Sequence, residues 1–202
     1  MTRPDRVTFY FDPACPWTWR TSRWLEDVTG RAGIPLAFDA FELSNGAPLD
    51  QVPEQYRVGA VASRAFLRAV TRAHDDGHDA LISSAYTYYG TQVHDDGVRP
   101  SLDLVSEAWT RAGGHSYLTA LGDDGLDALT AASRARGAQL AGDDVGSPIL
   151  AFDVDGATRG FFGPVLAPTP TGPAADRLWD VVVGAITVPQ FFELKTRRTS
   201  QP

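Results

Sequence analysis

The spacing of apolar residues changes along this chain, and each change marks a boundary between predicted elements. Residues 7–11 form a short apolar run that ends at Asp12-Pro13, which predicts a strand. From Cys15 to about Thr29, apolar residues recur every three or four positions, which predicts a helix closed by glycines. Alternation over residues 36–43 predicts a second strand. This β-α-β order favours two parallel strands joined by a right-handed crossover.

The middle of the chain carries only helical periodicity. Its predicted helices span residues 54–74, 80–89, a stretch capped by Ser101, and 123 to about 140, the last burying Leu126, Leu129 and Ala132. A strand over 149–154, a hairpin turn at Asp155-Gly156, a return strand over 157–162 and a helix from Pro173 follow. We therefore predict an α/β domain at 1–44 plus 145–202, interrupted by a helical subdomain at 45–144.

Composition narrows the classes of partner. The chain has 202 residues, 43% of them hydrophobic, and a formal net charge of -7. Because nucleic acid and anionic membranes attract basic surfaces, this balance argues against both as partners. No apolar run approaches the roughly 20 residues that a membrane span requires, and residues 1–5 contain no signal-like apolar segment. These features predict a cytoplasmic protein. They leave the oligomeric state open, with a homodimer among the choices.

Cys15 is the only cysteine, and its position predicts a nucleophile. Pro16 suits the first position of a helix because its missing N–H would have no partner there. Cys15 then occupies the N-cap, where the N–H groups of Trp17 and Thr18 are expected to point toward its sulfur. Those donors and the positive helix end favour thiolate over thiol. A second cysteine is lacking, so no disulfide can form within the chain.

The order of these features resembles the DsbA family. The strand, the Cys15-Pro16 pair opening a helix, the helical insertion and the Gly146-Ser147-Pro148 segment before a hairpin all carry this resemblance. Further blocks are similar to the actinobacterial mycothiol-dependent nitroreductase branch; they lie at residues 11–17, 21–24, 53–57, 86–94, 144–148, 161–166, 178–180 and 191–195. The resemblance implies an α/β, thioredoxin-like fold of DsbA type with an inserted all-helical subdomain.

The same resemblance implies a set of site residues. It places Cys15 and Pro148 at the catalytic centre, with a cis peptide bond before Pro148. Thr18, at the position of the family's second cysteine, is predicted as a third catalytic residue. Ser147 would offer backbone groups to an extended thiol-bearing ligand. The residues expected to line the substrate pocket are Pro16, Trp17, Asn45, Tyr56 and His94.

One position departs from the family pattern. Members of this branch carry Cys-Pro-Trp-Cys, whereas this chain has Thr18 at the fourth position. A lone thiolate can still form a mixed disulfide, which an external thiol must then release. We therefore predict a monothiol oxidoreductase with mycothiol, or another small thiol, as co-substrate and no tightly bound cofactor. Thr18 could donate its hydroxyl to the sulfur. The acceptor could be a nitroaromatic, a quinone-like electrophile or a disulfide.

Two other classes of function stay open. Kappa-type glutathione transferases and 2-hydroxychromene-2-carboxylate isomerases share this fold, and in such an enzyme Thr18 or Cys15 would stabilise a bound cofactor thiolate. A non-catalytic thiol-binding protein is the other alternative. His74 and His78 have metal-ligand spacing, but Gly77 is expected to end the helix between them, so no metal site is predicted.

Overall fold

The computed structural model describes residues 3–200 and 202. Its sheet has four strands, β1 (Arg6–Phe11), β2 (Leu36–Ala40), β3 (Ile149–Val154) and β4 (Ala157–Phe162), in the order β2-β1-β3-β4. β1 pairs with β2 in parallel and with β3 antiparallel, and β3 and β4 form the hairpin. The predicted parallel β-α-β opening and the Asp155-Gly156 hairpin are therefore confirmed.

Six α-helices accompany this sheet in the described chain. They are α1 (Pro16–Ala32), α2 (Glu54–Asp75), α3 (Asp79–Gly90), α4 (Leu102–Arg111), α5 (Asp127–Ala141) and α6 (Gly172–Ile186). A π-helical turn spans Thr91–Asp95, and 3₁₀ turns span His115–Gly122 and Asp124–Leu126. Helices α2 to α5 all lie between β2 and β3, so the helical insertion into an α/β frame is confirmed. Its boundaries at residues 44 and 145 stay a prediction.

The end of α1 lies beyond the predicted one. Gly33 adopts a left-handed φ of 61° after Ala32, and its N–H donates to the carbonyl of Gly30. The N–H of Ile34 donates to the carbonyl of Thr29 at 2.9 Å, completing the helix C-cap. Gly30 therefore lies inside the helix and only Gly33 ends it, while β2 stops at Ala40 rather than at residue 43.

The sheet and the helical insertion share one hydrophobic core. Phe11 of β1 lies 4.5 Å from the ring of Tyr86 in α3 and 6.4 Å from that of Phe66 in α2, between ring centroids. Phe66 in turn packs on Trp109 of α4 at 5.5 Å. These aromatic side chains are fully buried. Because they pack at the end of β1, the loop that follows this strand is held between the two parts of the molecule. Within the described residues, no helix has the length and apolar character to cross a membrane.

Candidate thiol site

Cys15 lies at the N-cap of α1, as predicted. Its backbone is extended, with φ −88° and ψ 114°, and Pro16 follows in the first turn. The carbonyl of Cys15 accepts the first helical hydrogen bond from the N–H of Trp19 at 3.1 Å. The residue is only 8% exposed.

The sulfur makes a different contact from the expected one. Among the described residues, it accepts no capping hydrogen bond from the helix. Instead Sγ lies 3.9 Å from the carbonyl oxygen of Ser147, a long contact in which the thiol proton donates. The backbone N–H groups of Trp17 and Thr18 belong to the first helical turn, whose donors have no partner within a helix. The sulfur therefore contacts the Ser147 carbonyl in place of the helix N–H groups.

The sulfur of Cys15 lies between the first turn of α1 and a loop that contains Ser147 and Pro148. The peptide bond between them is cis, and β3 begins at the next residue. The carbonyl of Pro148 accepts a hydrogen bond from the N–H of Gly163, which follows β4, at 2.8 Å. The hairpin thus holds this loop against the start of α1. Ser147 is buried there.

Thr18 connects the first turn of α1 to the loop that contains Ser147 and Pro148. Its side chain is fully buried, and its hydroxyl lies 2.8 Å from the hydroxyl of Ser147. The expected hydrogen bond from Thr18 to the sulfur is replaced by this one. The two hydroxyls join positions 129 residues apart in sequence, so Thr18 fastens the first turn of α1 to the cis-proline loop.

Asp12 holds the loop that precedes Cys15, a role that the sequence reasoning missed. Its carboxylate accepts hydrogen bonds from the hydroxyl of Ser63 at 2.5 Å and from the N–H groups of Ala14 and Leu43 at 2.8 Å each. Burial raises the pKa of Asp12 although these donors oppose the shift. The bond to Ala14, two residues on, is an Asx turn and could have been expected at Asp12-Pro13. No sequence signal pointed to Ser63 in α2.

His94 braces the same loop from the helical insertion. It lies in the π-helical turn, and its Nε2–H donates to the carbonyl of Pro13 at 2.9 Å. Burial lowers the pKa of His94, so the neutral ring is favoured, with the proton on Nε2 and an acceptor lone pair on Nδ1. The ring stacks on Trp19 at 6.1 Å. His94 therefore contacts the active-site segment two residues before Cys15.

Trp19 joins α1 to the π-helical turn. Its indole N–H lies 3.2 Å from the carboxylate of Asp95, which also pairs with Arg20 at 2.6 Å. A Cβ on Gly90 would lie 2.2 Å from the Trp19 ring, so only glycine allows this close approach. This packing fixes the position of the turn that carries His94.

The remaining predicted pocket residues lie in the first turns of α1 and α2 and in the loop after β2. Trp17 and Pro16 are half-buried in the first turn of α1, and the guanidinium of Arg198 lies 5.0 Å from the Trp17 ring centroid. Tyr56 is 63% exposed in the first turn of α2, three residues before Gly59, where an added Cβ would lie 3.6 Å from that of Ala14. Tyr56 is thus on the helix face nearest the active-site loop.

Asn45 lies in the loop after β2. It is exposed, with a left-handed φ of 50°, and its side chain makes no hydrogen bond to a described residue. The structure therefore brings Cys15, Thr18, Ser147 and Pro148 together. His94 is connected to them through the carbonyl of Pro13, in the loop before Cys15. Within the described chain, no side-chain hydrogen bond connects Asn45 to these four residues.

The two histidines with metal-ligand spacing have other partners. His74 Nδ1 lies 3.3 Å from Asp79, and His78 hydrogen-bonds the hydroxyl of Tyr117. Across residues 3–200 and 202, no group of three or more histidine, cysteine, aspartate or glutamate side chains could hold a metal ion.

Comparison with known proteins places this geometry in a family. Residues 14–196 match the family model described as "Rv2466c-like: Mycothiol-dependent nitroreductase Rv2466c". The uncharacterized protein Rv2286c of Mycobacterium tuberculosis (strain ATCC 25618 / H37Rv) is 29% identical over 203 residues, covering 94% of this chain and 80% of that protein.

Solved structures support the same fold. The cytosolic disulfide reductase DsbM from Pseudomonas aeruginosa superposes with a TM-score of 0.59 at 16% identity, covering 89% of this chain and 100% of its own. The probable DsbA oxidoreductase SCO1869 from Streptomyces coelicolor gives a TM-score of 0.58 at 16% identity, covering 96% and 94%. The predicted DsbA-type thioredoxin fold is confirmed.

Proposed function

The chain belongs to the Rv2466c-like family of mycothiol-dependent nitroreductases, and we propose that it is a monothiol oxidoreductase. Cys15 would attack the substrate, and a small external thiol, mycothiol, would complete the cycle. The cytoplasm, where thiols are kept reduced, is the proposed compartment.

The observation that carries this proposal is the surroundings of Cys15. The cysteine lies at a helix start, beside the Ser147–Pro148 loop, as the nucleophile of a thiol-disulfide enzyme must. Position 18 holds a threonine whose hydroxyl is already bonded to Ser147. Because Cys15 is the only cysteine, every disulfide it forms must be with a group from outside the chain.

Loss of the thiol proton would change the preferred partners of the sulfur. The neutral thiol can donate to the carbonyl of Ser147, but a thiolate would be repelled by that oxygen. The first-turn N–H groups of Trp17 and Thr18 and the positive end of α1 would instead favour the anion. The carbonyl of Ser147 would then be free to accept a hydrogen bond from a bound thiol ligand.

The chemical cycle balances with one protein thiol. The Cys15 thiolate attacks a substrate disulfide, forming a mixed disulfide while the other half leaves as a thiolate. A second thiolate, from mycothiol, attacks the bound half and releases Cys15 with its electron pair. Each turnover consumes one substrate disulfide and one mycothiol thiolate, and it yields one thiolate and one disulfide between mycothiol and the bound half. This product is mycothiol disulfide when the bound half is itself mycothiol. The mixed disulfide also protects Cys15 from further oxidation.

The neighbouring residues have proposed roles in this cycle. The backbone of Ser147 would orient the thiol ligand, and Pro148 would shape the loop that presents it. Trp17, Tyr56 and, at the outer edge, Asn45 would bound the acceptor. The neutral His94 would position the loop before Cys15 through Pro13.

A turnover assay tests the proposal. Reduction of a mycothiol mixed disulfide is measured with wild type and with Cys15→Ser, which keeps a hydrogen-bonding group at the N-cap. We expect turnover that requires added mycothiol and is lost in the variant. Activity retained by Cys15→Ser would favour a transferase or isomerase that activates a bound thiol. Binding of mycothiol without any turnover would indicate the non-catalytic alternative.

A further inference from the structure

The chain after α6 returns to the site. Residues 187–200 form neither helix nor strand, and most of their side chains are exposed. Yet Arg198 places its guanidinium carbon 5.0 Å from the ring centroid of Trp17, two residues after the nucleophile. This separation is within the range of a cation–π contact. The contact brings a positive charge from the far end of the chain to the first turn of α1.

From this contact we propose that Arg198 is a specificity-determining residue that binds an anionic group of the acceptor substrate. The inference rests on the proposed function and names the chemical class of the acceptor: a disulfide or nitroaromatic that carries a carboxylate or a similar anion.

The charge of Arg198 is available to a ligand. Nearby arginines in α1 are already paired, Arg20 with Asp95 at 2.6 Å and Arg23 with Glu26 at 2.9 Å. Arg198 takes part in none of the ion pairs found among the described residues. In a chain of net charge -7, an arginine beside Trp17 that has no carboxylate partner among the described residues distinguishes this point of the surface.

The geometry of the contact suits anion binding. A guanidinium that stacks on an aromatic face keeps its N–H donors at its edge, where they can bind a carboxylate in bidentate fashion. Mycothiol carries its cysteine as an N-acetylated amide and has no carboxylate. Arg198 would therefore select the acceptor and not the thiol.

Two disulfide reagents that differ in charge test this inference. Dithiobis(nitrobenzoate) is anionic and dithiodipyridine is neutral, and each reacts with a thiolate by the same step. A bond forms between Cys15 and one reagent sulfur, the reagent disulfide breaks, and its other half leaves with the electron pair. From dithiobis(nitrobenzoate) this half is the yellow nitrothiobenzoate, and from dithiodipyridine it takes up a proton to become thiopyridone, which absorbs in the ultraviolet. Because Cys15 is the only cysteine, each chain releases at most one equivalent.

We expect Arg198→Ala to slow the anionic reagent about two- to fivefold, as for one exposed ion pair, and to leave the neutral reagent unchanged. Added salt should reduce the difference. Arg197→Ala is the matched control, because Arg197 is its exposed neighbour and makes no described contact with an aromatic ring. It should leave both rates unchanged.

Each other outcome contradicts the inference in a different way. An equal loss with both reagents would mean that Arg198 acts on the thiolate. An equal loss in Arg197→Ala would mean a general effect of the charged tail. No loss at all would overturn the inference alone, whereas a Cys15 that reacts with neither reagent would overturn the proposed function as well.

Discussion

The bond between the hydroxyls of Thr18 and Ser147 joins α1 to the cis-proline loop at the level of single residues. Both groups are buried, so each lacks an alternative partner in water. Removing one partner leaves the other unsatisfied, which costs about 1–3 kcal/mol, whereas removing both costs less.

A double-mutant cycle tests this bond. We expect Thr18→Val and Ser147→Ala each to lower the free energy of unfolding, measured in urea, by about 1–2 kcal/mol. The double variant should lose less than the sum, with a coupling energy of about 0.5–1.5 kcal/mol. Strictly additive losses would show that the two hydroxyls do not interact.

Gly90 supports a second prediction at this scale. An alanine Cβ there would overlap the Trp19 ring at 2.2 Å, and Trp19 cannot move without disturbing Asp95 and His94. Gly90→Ala should therefore destabilise the protein by about 1–3 kcal/mol.

Gly30→Ala is the control for this substitution. Gly30 is helical like Gly90, but it is exposed, and no atom lies within 4 Å of an added Cβ. It should gain about 0.5–1 kcal/mol, because alanine is the better helix former. Equal effects at the two glycines in thermal unfolding would contradict the packing around Trp19.

Local chemistry made some of these residues predictable. The N-cap positions of Cys15 and Ser101 could be inferred, because capping depends on neighbours within one helical turn. The pairs Thr18–Ser147 and Asp12–Ser63 could not, since their members are 129 and 51 positions apart. Such contacts depend on how the elements pack.

At the scale of elements, periodicity succeeded for the strands and failed for the buried face of α5. Leu129 was predicted to be buried but is 46% exposed, and Ala132 is exposed as well. The inner face of α5 consists of small and polar residues. At Gly137 the rings of Tyr10 and Phe41 approach so closely that a large side chain would not fit. A search for large apolar residues cannot detect such a face. The π-helical turn at Thr91–Asp95 was missed for a similar reason, since its residues show no distinct spacing.

The junction between α2, α3 and the sheet carries a prediction about pH. His74 of α2 hydrogen-bonds Asp79 and lies 4.0 Å from the buried Asp39, and the hydrogen bond to Asp79 raises the pKa of His74. Arg6 and Arg136 are the cations that pair with these two carboxylates. A raised folded-state pKa means that the charged histidine stabilises the fold.

This contribution is complete below the unfolded histidine pKa of about 6.5 and is lost as pH rises through the higher folded value. The stability advantage of wild type over His74→Gln should therefore shrink as the pH rises above about 6.5. The lowered pKa of His94 has the opposite effect but is common to both proteins. His115→Gln, which removes an exposed histidine, is the control. An advantage that grows with pH would contradict the assigned charge.

At the scale of the whole molecule, the order of elements was the most informative feature. Short strands, a cysteine at a helix start and a long helical stretch between two β units limited the fold to one architecture, which the family match and the solved structures confirm. The return of the C-terminal segment to Trp17 was unpredictable, because no periodicity governs residues 187–200. The N-cap position of Cys15 followed from the sequence, whereas the packing around it required the folded chain.

The central claim is that one protein thiol starts a reaction that an external thiol completes. Intact-protein mass spectrometry after exposure to mycothiol disulfide tests it most directly, with Cys15→Ser as the control. The account predicts one mycothiol per chain, attached at Cys15 at neutral pH, absent from the variant and removed when excess mycothiol is added. A Cys15 that acquires no mycothiol, or an adduct that mycothiol cannot release, would contradict the account.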